Sequence, residues 1–329
     1  MKKMNKENSK LQSFFNTLFS KNELGAFLPL ALLLTVVAFV NPGFFVGKNI
    51  LDILRTASFT FIVALPLTFM LASQGLDLSV GAVTSLGGII CGMALKAGIP
   101  LPLSIILALL AGAVVGFING LITIYSNLPA FIATLGTQYM VNGIIAIITK
   151  NVAISNFENS FKFLSQYRLF GMVPMPILYA IIFGIIGHII LTKTRYGREI
   201  LAIGGNSETA YLAGIKVNSL KMTTFVTTSI FSALAGVLMA SRFACAQPAA
   251  GSGTELSIMA GVIIGGTSMF GGQGTVIGSA LGAILLATIT NALILMNVST
   301  LWQSFIYGFI LVVALYIDKY RRKVLSGER

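Results

Sequence analysis

Charge is what this chain has least of. Only 10% of its 329 residues are Asp, Glu, Lys or Arg, against roughly 25% in an ordinary soluble domain. A chain that is 56% hydrophobic, with mean hydropathy +0.89, cannot hide that much apolar surface from water. Its solvent is lipid. Histidine occurs once, as His188 in an apolar run without a second ligand beside it, so no metal centre is expected. The two cysteines, Cys91 and Cys245, do not make a disulfide framework, and Cys91 reads as a small buried thiol. No G-x-x-x-x-G-K-[ST] run occurs, so the chain has no phosphate-binding loop with which to hydrolyse ATP. No Ser/His/Asp set or paired carboxylates stand out. The expectation is no catalytic residue and no cofactor.

What is present is a series of apolar runs. At roughly 20 residues per span the chain has room for about ten helices. They fall at 24–40, 57–72, 78–95, 100–125, 130–149, 176–192, 222–241, 256–270, 275–296 and 301–317. Residues 44–55 read as an interfacial stretch with Asn49 and Asp52 exposed, and Pro66 as a kink in the second span. The eighth span is short enough to be partly re-entrant. The predicted fold is all-α and polytopic. A single transmembrane unit, 24–317, lies between tails at 1–23 and 318–329, and no cleavage site removes the first span.

A net charge of +12 is compatible with nucleic-acid binding, but the basic residues sit in tails and loops between the spans, so no nucleic-acid partner is expected. Five Lys or Arg lie in the N-terminal tail, five in the loop 193–221 and five in the C-terminal tail; the opposite side carries seven. By the positive-inside bias both termini and that loop face the cytoplasm. Tyr125, Tyr139, Tyr211, Tyr307 and Trp302 mostly fall near span ends, as interfacial anchors do.

The loop 193–221 is the longest polar insertion on that side. Within it Gly204-Gly205 and Gly214 bracket one short amphipathic helix. Asn206 or Ser207 can cap it, Glu208 lies in its first turn, and Ala210, Leu212, Ala213 and Ile215 form its apolar side. A partner protein can push on such an element.

Two segments echo each other. Asp77-Leu78-Ser79-Val80 precedes Gly87-Gly88, and Glu255-Leu256-Ser257-Ile258 precedes Gly265-Gly266 at the same spacing. Asn119-Gly120-Leu121-Ile122 likewise matches Asn291-Ala292-Leu293-Ile294. Spans two to five then correspond to spans seven to ten. An odd offset of five inverts one half relative to the other, a transporter signature. Asp77 is placed towards the inner face and Glu255 towards the outer. Each acid has two readings, a helix cap or a group on a translocation path. The glycine pairs Gly112/Gly116 and Gly278/Gly282 are packing surfaces.

Four stretches resemble one family. They are Gly75 to Gly81 (GLDLSVG), Phe131 to Gly136 (FIATLG), Thr194 to Gly197 with Gly204-Gly205-Asn206 and Ala213-Gly214-Ile215, and Ala246 to Gly251 through Gly265 to Ser268 and Gly271 to Gly274. Together they resemble the permease subunits of ribose-type monosaccharide ABC importers, in the branched-chain permease superfamily. The family often has Glu-Leu-Asp where this chain has Glu255-Leu256-Ser257.

The resemblance implies a prokaryotic inner-membrane protein paired with a second copy of itself or a paralogous permease. It also implies two cassette ATPase subunits on the inner face and a separate sugar-binding protein outside. Its coupling helix falls on Gly204, Gly205, Asn206, Glu208, Ala210, Ala213, Gly214 and Ile215. The pathway or gating candidates are Asp77, Ser79, Phe131, Thr134, Glu255, Gly265 and Gly266. The rival expectation is an ion-driven secondary transporter of a small polar solute, with Asp77 as its ion-coupling residue.

Overall fold

A computed structural model describes residues 24–40, 42–126, 128–299, 302, 305–309, 312, 313, 315 and 316. The expected tails lie outside these residues, and the tenth span is described only in part, where it is helical. The described chain is mostly α-helical: α1 (Leu24–Val40), α2 (Gly47–Ala72), α3 (Val80–Lys96), α4 (Leu101–Tyr125), α5 (Ala130–Thr149), α6 (Asn159–Gln166), α7 (Met175–Lys193), α8 (Arg195–Gly205), α9 (Ser207–Leu212), α10 (Val217–Phe243), α11 (Thr254–Ile264) and α12 (Val276–Leu295). Six of them, α2, α4, α5, α7, α10 and α12, are long and apolar enough to cross a membrane. Helices α3 and α11 are apolar but shorter.

The all-α expectation needs one small correction. Two ladders of two-residue strands occur: β1 (Ile154–Ser155) with β4 (Cys245–Ala246), and β2 (Arg168–Leu169) with β3 (Val173–Pro174). The β1–β4 ladder ties the segment after α5 to the segment after α10 at one end of the bundle.

Helix α10 is the axis. Lipid tails are as apolar as leucine, so membrane helices are held by close packing and polar contacts rather than by hydrophobic burial. Ser229, Ala233, Gly236 and Ala240 put a stripe of small residues along α10 at helical spacing. Gly112 and Gly116 of α4 press on Ser229, and Gly87 and Gly88 of α3 press on Ala233 and Gly236. A Cβ on Gly236 would overlap the carbonyl of Thr84. The Gly278/Gly282 pair is used in the same way, meeting Gly265 and Gly261 across the α11–α12 contact.

Two expectations about local structure fail. Residues 44–55 are not a separate interfacial piece. After a 3-10 turn at Pro42–Phe45 the backbone enters α2 at Gly47 and runs unbroken past Pro66. Asn49 is only half-exposed because its amide bonds with that of Asn291 on α12. Residues 195–205, expected as loop, form the helix α8. Thr194 caps it by accepting from Gly197 N–H, and its apolar face, Ile200 and Ile203, is fully buried.

Candidate functional site

Two long helices each give way to a shorter apolar one. Helix α2 ends at Ala72 and the chain re-enters as α3; α10 ends at Phe243 and the chain re-enters as α11. The re-entry points meet inside the bundle. A side chain on Gly81, in the first turn of α3, would collide with the Gly251 carbonyl and with Oε2 of Glu255 in the first turn of α11. Asp77 lies on the near side of this contact, beside Ser229, which stands mid-way along α10. Glu255 thus meets the first turn of the helix that follows Asp77; Asp77 is buried and Glu255 half-exposed.

The first break is densely bonded. Asp77 is 2% exposed. Its Oδ1 accepts from Ser79 N–H at 2.8 Å, Ser79 Oγ at 2.6 Å and Asn119 Nδ2 at 3.3 Å. Asn119 Nδ2 also donates to Ser79 Oγ at 2.9 Å. Thr134 Oγ1 accepts from Leu78 N–H at 3.1 Å and donates to the Ala130 carbonyl. Backbone groups that a helix break exposes inside a bilayer must find partners, and here Thr134 of α5 takes the Leu78 amide and Asp77 itself takes that of Ser79. The Ser229 hydroxyl approaches the carboxylate, yet Asp77 Oδ2 and Ser229 Oγ complete no hydrogen bond within 3.5 Å.

Glu255 does not cap α11. Gly253, at φ +78°, occupies that position without a side-chain bond. Glu255 instead accepts from Gln138 Nε2 of α5 at 2.8 Å, and its Oε2 is buried without a partner. Ser79, Asp77 and Thr134 thus share one network, with Glu255 adjacent to it. Phe131 is not part of it and lies exposed on the outer face of α5. Gly265 and Gly266 lie at the far end of α11, where Gly266 adopts φ +94°. Asn119, Gln138 and Ser229 were not among the expected pathway residues.

The loop between α7 and α10 forms a second site. Asn206 caps α9 by accepting Thr209 N–H at its Oδ1, 2.9 Å away. Gly214, at φ +84°, ends the element as Ile215 N–H returns to the Ala210 carbonyl at 3.1 Å. Ala210 is buried; the apolar side chains offered outward are Tyr211 and Leu212, 70% and 79% exposed. Glu208 and Ala213 are exposed and Ile215 half-exposed, and nothing lies within 4 Å of a Cβ on Gly205.

Gly204, at the end of α8, joins the first break to the turn between α11 and α12. A Cβ there would overlap the Ala72 carbonyl and the Gly272 amide, and Gly272 N–H itself donates to the Ala72 carbonyl at 2.9 Å. Gln74 Nε2 completes the junction, 3.0 Å from the carbonyls of both Gly204 and Phe270. Tyr196 of α8 bonds Thr223 on α10 and packs on Phe69 of α2; burial pushes its phenol pKa up, so it stays neutral.

The family model for the permease component of the branched-chain amino acid transport system matches residues 49–315. The ribose import permease protein RbsC of Haemophilus influenzae is 37% identical over 91% of this chain and 93% of its own length. The protein of the same name from Bacillus subtilis is 34% identical over 90% and 92%. The D-allose transport system permease protein AlsC of Escherichia coli is 31% identical over 93% and 94%. No solved structure matches the chain. An apolar bundle with two broken helices, one protruding element and relatives of this kind leads to one conclusion: the chain belongs to the permease-component family of branched-chain amino acid transport systems, and is a membrane-embedded permease subunit rather than an enzyme.

Proposed function

We propose that this chain forms the translocation path for a ribose-like monosaccharide, with the segment 206–215 receiving the thrust of a cassette ATPase. The observation that carries this is the Gly204 junction. The outward pair Tyr211 and Leu212 sits on α9, which follows α8 directly, and the end of α8 is in backbone contact with the end of α2 and with the turn between α11 and α12. A push on that pair is passed through α8 to the first break and to the far end of α11.

The nine apolar helices and the partly described helix at 302–316 make ten spans, with both termini on the cytoplasmic side. A second permease copy, two ATPase subunits and an external binding protein complete the assembly. The ribose and allose permeases among the relatives support a monosaccharide, and they favour this reading over ion-driven transport through Asp77. The test is uptake into vesicles holding this chain with its ATPase, the binding protein and radiolabelled ribose outside. Uptake is expected only with ATP and all parts present. Uptake by the chain alone under an ion gradient would overturn the proposal.

A further inference from the structure

Three arginines gather at the end of the bundle away from Gly204. Arg55 of α2 donates from Nη2 to the Ser165 carbonyl at 2.7 Å, while its Nε is buried without a partner. Arg242, in the last turn of α10, donates from Nη1 to Thr56 Oγ1 at 3.1 Å. Its guanidinium lies over the rings of Phe59 and Phe243, 5.5 and 5.2 Å from their centroids. Arg168 and Arg242 are repulsive neighbours of Arg55, and Asp52 is the attractive one. Among the described residues the single salt bridge is Arg195–Glu199, so none of the three has a carboxylate within 4.0 Å. Unbalanced positive charge in a half-buried place costs free energy unless an anion offsets it. It is also placed on the side where basic residues are fewer.

Arg242 borders a cavity of about 350 Å³. Its walls offer hydroxyls at Thr56, Thr60, Ser252 and Thr290 beside apolar side chains at Val63 and Leu286. We propose that Arg242 in the wall of this cavity, with Arg55 beside it, holds the phosphate of an anionic lipid headgroup. Arginine recognises phosphate through paired N–H donors, and a cationic wall on a partly apolar cavity suits an amphiphile. A docking protein is the poorer fit. Arg242 is confined between two rings and Arg55 is held by a backbone carbonyl, so neither is presented outward as a knob.

The test uses the full-length protein in detergent, stripped of lipid and then offered phosphatidylglycerol, phosphatidylcholine or inorganic phosphate, with retention read by native mass spectrometry. Phosphatidylglycerol should be retained preferentially. Arg55→Gln and Arg242→Gln should each weaken it about fivefold, and the pair about 25-fold. Arg242→Lys keeps the charge but not the paired N–H donors, so its retention should fall between that of the parent and that of Arg242→Gln, which separates loss of charge from loss of fold. Equal retention of both lipids, unchanged retention in the double variant, or displacement by millimolar inorganic phosphate would overturn the proposal. So would a double variant that keeps the lipid yet loses stimulation by the binding protein, which would reassign the arginines to protein docking.

Discussion

The two helix breaks occupy equivalent places and are built unlike one another. The break before α3 converges on one fully buried carboxylate that accepts three hydrogen bonds, with Thr134 fixing the adjacent Leu78 amide. At the break before α11 a half-exposed carboxylate has one side-chain partner, Gln138, and the cap position is a glycine that contributes no side chain. The sequence echo pairs Asn119 with Asn291, yet Asn119 bonds Asp77 while Asn291 bonds Asn49. The first break locks onto that carboxylate. The second is held by its backbone instead: Gly251 N–H donates to Ser85 Oγ at 2.9 Å, Thr254 Oγ1 donates to the Gly251 carbonyl at 2.7 Å, and Cys245–Ala246 pair with β1.

The largest effect should come from attacking the lock. Asp77→Leu strips acceptors from Ser79 N–H, Ser79 Oγ and Asn119 Nδ2, each a buried group worth roughly 1–3 kcal/mol when orphaned. Thermal unfolding of the full-length protein in detergent should show severe destabilisation. Glu255→Leu should lose much less, and equal losses would erase the distinction between the breaks. Next come the glycine contacts. Gly236→Ala and Gly278→Ala force a methyl into the carbonyls of Thr84 and Gly265, and each should cost about 1–3 kcal/mol by overpacking.

Smaller in stability, but sharp in function, is Gln74→Leu. It removes both bonds of an exposed amide, about 1 kcal/mol or so, and should leave ATPase docking intact while uncoupling hydrolysis from uptake. Glu255→Gln, which keeps an acceptor for Gln138, should shift stability by less than about 1 kcal/mol. Uptake should fall with it if the second break moves.

Much of this was legible in the residues. Apolar runs bounded by Gly, Pro and Asn located the long helices, though α2 begins at Gly47 rather than at 57 and α11 ends at Ile264 rather than at 270, and Asn206 announced its cap. The stretch 195–205 misled because Arg195, Arg198 and Glu199 punctuate it; its buried face is only Ile200, Ile203 and two glycines. Residues 44–55 misled for the opposite reason, since their polar groups are satisfied by distant helices, as Asn49 is by Asn291. The Gln138–Glu255 and Asn119–Asp77 bonds join residues 117 and 42 positions apart, and no periodicity reports such pairs. The outward turn of Tyr211 and Leu212, rather than Ala210, depends on where α8 ends, which the glycines alone left open.

The most direct measurement is ligand-stimulated ATP hydrolysis by the reconstituted transporter carrying Leu212→Glu. A charge placed on the outward side chain cannot disturb the buried core of the permease, so insertion should be normal. ATPase co-purification and stimulated hydrolysis should both be lost. Full stimulation with Leu212→Glu would contradict the assignment of 206–215 as the point where the motor engages.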